Sequence, residues 1–215
     1  MHKRDALIII IILGTIYGGL YAYSGNRSPL YVVASGSMIH DDASYGRIGT
    51  IDPGDLIIAR KVSDGEVETW TNQTRQSYGD WGDVLIYYPN GERWRTPVIH
   101  RAITWVNAGE TVCVFGGRYT APSPGYLTKG DHNLYIDQPW LTAPVDPSWI
   151  IGVSRGEMPW IGLIGMGLRG VLSEIGIVNA DVDIDSVPTD CWVMLAVVIA
   201  LIGIVAAVGT VRDKG

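Results

Sequence analysis

The segment Val98–Val106 reads VIHRAITWV, and a second segment of the same character, Thr111–Phe115 (TVCVF), follows four residues later. β-Branched and aromatic residues in such runs favour strands. The link Asn-Ala-Gly-Glu at 107–110 is typical of a hairpin loop. Between residues 30 and 155 no amphipathic helical period dominates and no internal repeat occurs, so we predict an antiparallel β domain. The other predicted strands are Tyr31–Val33, Leu56–Val62, Val84–Tyr88 and Ile150–Ser154.

Three segments around these strands have a different composition. Asp64–Asp80 is polar and Tyr119–Tyr126 is rich in proline and glycine, and both are predicted as surface loops. Glu157–Val178 is mostly apolar, and Pro159 near its start is compatible with the first turn of a helix. This segment has two open interpretations, a helix along a membrane interface or a helix buried against the β domain.

Two long uncharged runs lie at the ends of the chain, Ala6–Tyr23 and Cys191–Val211. At about 1.5 Å per helical residue each spans roughly 27–30 Å, the thickness of a bilayer core. We therefore predict two transmembrane helices. The alternative for the first run is a cleavable signal peptide, because Ala22 and Ser24 are small enough for a cleavage site. The alternative for the second is a buried core helix.

The charges that flank these runs predict their orientation. Lys3 and Arg4 precede the first run, and Arg212 and Lys214 follow the second. Basic residues favour the cytoplasmic side, so a two-pass protein of the cell membrane with both termini in the cytoplasm is expected. The predicted organisation is a cytoplasmic start 1–5, an anchor 6–23, an extracytoplasmic β domain 24–190, a second span 191–211 and a cytoplasmic tail 212–215.

The composition excludes several classes of protein. Of the 215 residues 47% are hydrophobic and 18% charged, which is too apolar for a disordered chain. The formal net charge of −6 argues against a nucleic-acid partner. Two cysteines are too few for a disulfide framework. Nothing in the sequence requires a metal, nucleotide or organic cofactor.

Three short motifs in the predicted β domain carry side chains suited to catalysis. They supply a hydroxyl, an imidazole and a carboxylate, which together can act as nucleophile, general base and orienting group. Each motif is weak alone, because serines are common in turns and histidines pack in strands. The motifs are Ala34-Ser35-Gly36-Ser37-Met38, Val98-Ile99-His100-Arg101 and the loop that runs from Thr128 through Gly130-Asp131 to Asp137.

The order of these motifs resembles type I signal peptidase of the archaeal and endoplasmic-reticulum kind. The resemblance covers Tyr31 to Gly165, and it includes the Pro159-Trp160-Ile161-Gly162 segment after the last predicted strand. In chain order the matching residues are Ser37 after the first apolar run, Gly54-Asp55, His100-Arg101, Gly130-Asp131 and Asp137.

This resemblance implies a role for each matching side chain. Ser37 is the expected nucleophile, and His100 is the expected base at the place where bacterial relatives have a lysine. Asp137 matches the acid that orients or charge-stabilises the histidine, and Asp131 matches a second required carboxylate. Which of the two acids supports His100 stays open. Ser35 resembles the residue whose hydroxyl completes an oxyanion hole with the Ser37 backbone N–H.

The sequence also departs from the family pattern. His40 stands where a proline is usual, the insert Asp41–Thr50 lengthens the chain before Gly54, and His132 replaces a common asparagine. Met38 and His40 are expected to border the substrate groove. Two other sites stay possible: a Ser–Lys dyad with Lys61 or Lys129, and a metal site. The metal site would use His40 or His132 with Asp41, Asp42, Asp131 and Asp137.

The expected function is a membrane-bound serine endopeptidase that cleaves N-terminal signal peptides from secreted preproteins. Its expected partners are those preproteins, the lipid bilayer and the translocation machinery. An acidic outside domain with a second anchor suggests an archaeal source. Two alternatives are a processing protease with a narrow set of clients and a catalytically silent binding subunit. Arg101 is expected to form a structural ion pair.

Overall fold

The computed structural model describes residues 3–40, 48–63, 65–115 and 117–167, together with the helical positions Val193, Ala196, Val197 and Ala200. The rest of the predicted span 191–211, the tail 212–215 and most of the insert Asp41–Thr50 lie outside the described residues. The chain divides into two compact units. The first comprises Met1–Tyr31 and Ile57–Gly156, and the second comprises Val32–Leu56 and Glu157–Gly215.

A six-stranded sheet dominates the first unit. Its strand order is β1-β2-β10-β5-β6-β9, and the pairs β10–β5, β5–β6 and β6–β9 are antiparallel. Two small antiparallel sheets pair β3 with β4 and β7 with β8. The chain begins with helix α1, Lys3–Ser24. The strands are β1 Leu30–Val32, β2 Leu56–Arg60, β3 Gln76–Ser77, β4 Asp80–Trp81, β5 Val84–Tyr87, β6 Val98–Val106, β7 Thr111–Val114, β8 Gly117–Thr120, β9 Gly125–Lys129 and β10 Ile150–Met158.

These strands confirm the prediction of a mainly β, antiparallel protein. β6 has the predicted bounds, and β10 extends four residues beyond its predicted end. β6 is covered on both faces, because its neighbouring residues Ala102 and Ile103 point to opposite sides and both are buried. Ala102 packs in a cluster with Leu85 and Tyr87, and Ile103 packs in a separate cluster with Leu127.

Two expectations about loops are wrong. The segments before and after residues 107–110 do not pair as a hairpin, because β6 lies in the large sheet while β7 pairs with β8. The predicted loop Tyr119–Tyr126 contains the end of β8 and the start of β9, and all five β9 residues are buried. A Cβ on Gly125 would lie 2.7 Å from the Pro144 carbonyl carbon, so this strand begins with glycine to allow a close backbone approach.

The predicted surface loop Asp64–Asp80 is also wrong in part. Trp70 N and Thr71 N donate to the carbonyl oxygens of Ala102 and Ile103, which ties this polar segment to β6. β3 lies within it. Polar composition predicts solvent exposure only where the backbone is solvated, and here the backbone groups find partners in the sheet.

Part of the Glu157–Val178 segment is described. β10 continues to Met158, and residues 162–167 are helical. Leu163 and Met166 are buried, which favours the interpretation of a packed helix for these residues. Residues 168–178 lie outside the described part of the chain.

None of the helices in the described residues is long and apolar enough to cross a membrane. The prediction of flanking transmembrane helices is therefore not confirmed.

Candidate active site

In the second unit, the serine motif forms a tight turn held by the backbone of the Gly54–Asp55 segment. Val33 N donates to Asp55 O over 2.9 Å, and Gly54 N donates to Val33 O over 2.8 Å. Ser37 then lies in a short 3-10 helix, Gly36–Met38, and the buried Met38 side chain anchors this turn. The Ser35 and Ser37 hydroxyl oxygens are 3.4 Å apart, which is longer than a typical O–H···O bond.

The Asp55 carboxylate connects two segments of the second unit, the one around Asp52 and the one around Trp160. It is buried and accepts hydrogen bonds from Asp52 N at 2.9 Å and Trp160 N at 3.1 Å. Burial raises the pKa of Asp55 to about 6, and its hydrogen bonds with backbone N–H groups oppose that rise. At Gly54, φ is +97° and a Cβ would lie 2.4 Å from Leu163 Cδ2, so this position requires glycine. The Gly-Asp pair therefore has a structural role.

In the first unit, His100 lies on β6, between β5 and the edge strand β9, and is paired with a carboxylate. Leu85 on β5 is the register partner of His100, and the His100 side chain is buried. His100 Nδ1 lies 2.7 Å from Asp137 Oδ2, and the Asp137 side chain is buried as well. A carboxylate at this distance favours a proton on Nδ1 and orients the ring, so that Nε2 is the nitrogen left to accept a proton.

The position of Asp137 follows from the loop after β9. Asp137 N donates to Thr128 O at 2.8 Å, and Thr128 N donates to the side-chain oxygen of Gln138 at 3.1 Å. The loop that leaves β9 at Gly130 thus returns to the same strand seven residues later. Tyr87 and Thr128 also contact the Asp137 carboxylate, and the sequence analysis assigned a role to neither residue. Only the strand register, which the residue pattern does not show, places them beside His100.

Asp131, the other candidate acid, binds a different residue. Arg101 Nε donates to Asp131 Oδ1 at 2.7 Å, and Arg101 Nη2 donates to Asp131 Oδ2. Arg101 Nη1 also donates to the carbonyl oxygens of Ser77 and Gly82, at 2.9 and 3.0 Å. The ion pair predicted for Arg101 is present, and of the two acids it is Asp137 that contacts His100.

Lys129 and His132 are candidates for the alternative Ser–Lys dyad and metal site, and the structure describes the surroundings of both. Lys129 Nζ donates to the carbonyl oxygens of Gly130 and Asp131 and lies 4.8 Å from the centre of the Phe115 ring. Desolvation by burial lowers the pKa of Lys129. The His132 side chain is exposed. In the part of the chain that the structure describes, no group of three or more His, Cys, Asp or Glu residues is arranged to hold a metal ion.

An open cavity of about 520 Å³ borders the His100–Asp137 pair. Its walls come mainly from the loop that follows β9, and they include three large side chains that are mostly exposed. These are Leu134, Tyr135 and Trp140, with exposed fractions of 78%, 67% and 88%. Such a cluster of exposed apolar groups is a candidate binding surface.

No protein-family model matches the chain. Three fungal proteins named signal peptidase complex catalytic subunit SEC11 are similar to it over most of its length. The protein of Schizophyllum commune is 27% identical over 186 residues, which cover 77% of this chain and 83% of the relative. The protein of Aspergillus terreus is 28% identical, and the match covers 69% of this chain and 70% of the relative. The protein of Arthroderma otae is 27% identical, and the match covers 75% of this chain and 86% of the relative.

These relatives give the archaeal source no support, since all three are fungal. Their similarity covers between 69% and 77% of this chain. It confirms the resemblance to type I signal peptidase of the endoplasmic-reticulum kind. Because these relatives are named catalytic subunits, the similarity also supports the prediction of an enzyme.

Proposed function

We propose that the chain is a membrane-bound serine endopeptidase that removes N-terminal signal peptides from secreted preproteins. The observation that carries this proposal is the buried His100–Asp137 pair, joined at 2.7 Å, in a chain similar to signal peptidase catalytic subunits. Serine peptidases of the Ser-His-Asp type use a histidine held by a carboxylate as their general base. The relatives are named as subunits of a complex, so we also propose that the chain acts within one.

Ser37 is the nucleophile of the proposed reaction. His100 Nε2 takes the Ser37 hydroxyl proton while the oxygen attacks the carbonyl carbon of the scissile bond. The Asp137 carboxylate stabilises the imidazolium that forms. His100 then gives the proton to the leaving amine, and the acyl-enzyme on Ser37 remains. Water, deprotonated by His100, then attacks the ester carbonyl carbon. His100 returns the proton to the Ser37 oxygen as the ester bond breaks, and the signal peptide leaves with a free carboxylate.

The oxyanion hole of this mechanism consists of the Ser37 backbone N–H and the Ser35 hydroxyl. The turn around Ser37 supports this assignment, because both serines lie on one short segment that Met38 anchors. Met38 and His40 border the substrate groove in this proposal. Asp131 acts indirectly: its ion pair with Arg101 fixes the residue next to the base.

Association with a bilayer is part of the proposal. The runs Ala6–Tyr23 and Cys191–Val211 are the proposed anchors, with both termini in the cytoplasm. Large apolar side chains of α1, among them Leu7, Ile10 and Leu13, are more than half exposed, which is the surface a lipid environment would cover. An anchored enzyme meets its substrate at the membrane surface, where the translocation machinery delivers it, and this proximity raises the encounter rate.

The proposed substrate is an extended peptide with small side chains at the first and third positions before the cut. The loop side chains Leu134, Tyr135 and Trp140 offer an apolar wall for it beside His100. The second candidate, a processing enzyme with few clients, is favoured by His40 at the usual proline position and by the insert Asp41–Thr50.

Both candidates are tested by incubating the purified full chain in detergent with several unrelated preproteins. Each preprotein is supplied in a matched pair, with alanine or phenylalanine at the position before the signal junction. We expect one cut per alanine substrate, at the junction, and a rate at least about 100-fold lower for phenylalanine, because a small pocket excludes the ring. Cleavage of only one preprotein would favour the narrow-client enzyme. Equal cleavage of both members of each pair, or no cleavage, would contradict the proposed function.

A further inference from the structure

The Asp137 oxygen that contacts His100 is surrounded by three hydrogen-bonding groups. Besides His100 Nδ1 at 2.7 Å, the Thr128 hydroxyl lies 2.7 Å from Asp137 Oδ2 and the Tyr87 hydroxyl lies 3.0 Å from it. Tyr87, Thr128 and Asp137 are all buried. One carboxylate oxygen is therefore held from three directions, and only one of them is the histidine.

The directions of these hydrogen bonds follow from the neighbouring groups. Gln138 Nε2 donates to Thr128 Oγ1 at 3.2 Å, which leaves the Thr128 hydroxyl proton for an acceptor. The Tyr87 and Thr128 oxygens are 3.1 Å apart, so each could accept from the other. A carboxylate is a stronger acceptor than a neutral hydroxyl, and both protons therefore point to Asp137 Oδ2.

Tyr87 reaches this position from the hydrophobic core. Its ring packs in the cluster that contains Leu85 and Ala102, and only the hydroxyl meets the polar pair. Tyr87 on β5 pairs with Val98 on β6. Val98 lies two residues from His100, so the side chains of Tyr87 and His100 project from the same face of the sheet. Desolvation by burial, and secondarily the Asp137 charge, raise the pKa of Tyr87 well above its usual value. The hydroxyl consequently stays protonated as a donor.

We propose that Tyr87 is a positioning residue for the catalytic base, because its hydroxyl, together with that of Thr128, holds the Asp137 carboxylate against His100. This inference rests on the proposed function of the His100–Asp137 pair. A phenylalanine at position 87 would fill the same space in the core, so packing alone does not require the hydroxyl. The Tyr87 hydroxyl contacts Asp137, the acid of the proposed active site, and its role is to restrict the rotation of the Asp137 carboxylate.

The test compares full-length wild type with Tyr87→Phe and Thr128→Val in preprotein cleavage, measured as kcat and KM across pH. Loss of one charge-assisted hydrogen bond is expected to lower kcat about tenfold while KM stays within about twofold. Rates are compared at equal folded concentration, so a loss of fold alone does not lower kcat. Thr128→Ser, which keeps the hydroxyl, is expected to restore the wild-type profile.

Tyr88→Phe is the matched control, because it removes the hydroxyl of the next residue, which lines a different cavity together with Tyr31 and Trp149. Its kcat and pH profile are expected to equal those of wild type. If Tyr87→Phe lowers the rate only in proportion to the folded fraction, the positioning role is overturned. The positioning role is also overturned if Asp137→Asn is inactive while Tyr87→Phe behaves as wild type. That result leaves the proposed function intact. Full activity of both Asp137→Asn and Ser37→Ala would instead refute the proposed function itself.

Discussion

Asp137→Asn is expected to lower kcat for preprotein cleavage by about 10³- to 10⁴-fold, with little change in KM. The carboxylate holds His100 Nδ1 at 2.7 Å and lies in a buried site, where its charge is poorly screened. A neutral amide can neither stabilise the imidazolium nor favour one ring tautomer as strongly. The substitution preserves the shape of the side chain, so the folded structure is expected to survive.

Two aspartates serve as comparisons in the same assay. Asp146→Asn changes a carboxylate that caps the 3-10 helix Pro147–Trp149, and it is expected to leave kcat unchanged. Asp131→Asn removes the partner of Arg101 and is expected to reduce stability more than kcat. A kcat loss in Asp131→Asn equal to that in Asp137→Asn at equal folded fraction would contradict the assignment of Asp137 as the orienting acid.

Arg101→Met is expected to destabilise the first unit by about 3–5 kcal/mol, because it leaves a buried carboxylate without its counter-ion. The Arg101 side chain is 1% exposed and that of Asp131 is 7% exposed. The same substitution removes the donor to the carbonyl oxygens of Ser77 and Gly82, and these two hydrogen bonds connect residues 77–82 to β6. Each buried carbonyl that loses its donor adds a desolvation cost.

The matched control is Arg95→Met. Arg95 and Glu92 form an ion pair of 3.6 Å with side chains 36% and 39% exposed, so its loss is expected to cost less than about 1 kcal/mol. Thermal unfolding of the full-length variants in the same detergent gives the comparison. Equal losses of stability in the two variants would show that the buried pair contributes no more than the exposed one.

The strand pattern predicts most of the large sheet, because β-branched and aromatic runs such as Val98–Val106 have no competing helical period. It fails at β9, where Pro122 and Pro124 immediately precede the strand and suggest a loop. Both prolines lie in the short turn before Gly125, so the strand itself contains neither. The failed hairpin at residues 107–110 has a related cause: local turn chemistry does not determine which distant strand supplies the partner.

The order of the motifs identifies the site residues, but it does not give the geometry of the site. Gly130-Asp131 and Asp137 occupy a single loop, and the residue pattern cannot distinguish which acid turns toward His100. That choice depends on backbone hydrogen bonds between the loop and Thr128, and on Arg101 as the competing partner of Asp131. Tyr87 escapes detection for the same reason. A tyrosine in an apolar strand has the pattern of a core residue, and only the register with β6 shows where its hydroxyl lies.

The central claim is that Ser37 is the nucleophile of a signal peptidase reaction, and the most direct measurement is preprotein cleavage by wild type and Ser37→Ala at equal folded concentration. Ser148→Ala, which changes an exposed serine of the first unit, is the matched control. We predict that wild type and Ser148→Ala release the mature protein with its N-terminus at the signal junction, while Ser37→Ala is slower by about 10⁴-fold or more. Cleavage by Ser37→Ala at the wild-type rate would contradict the claim.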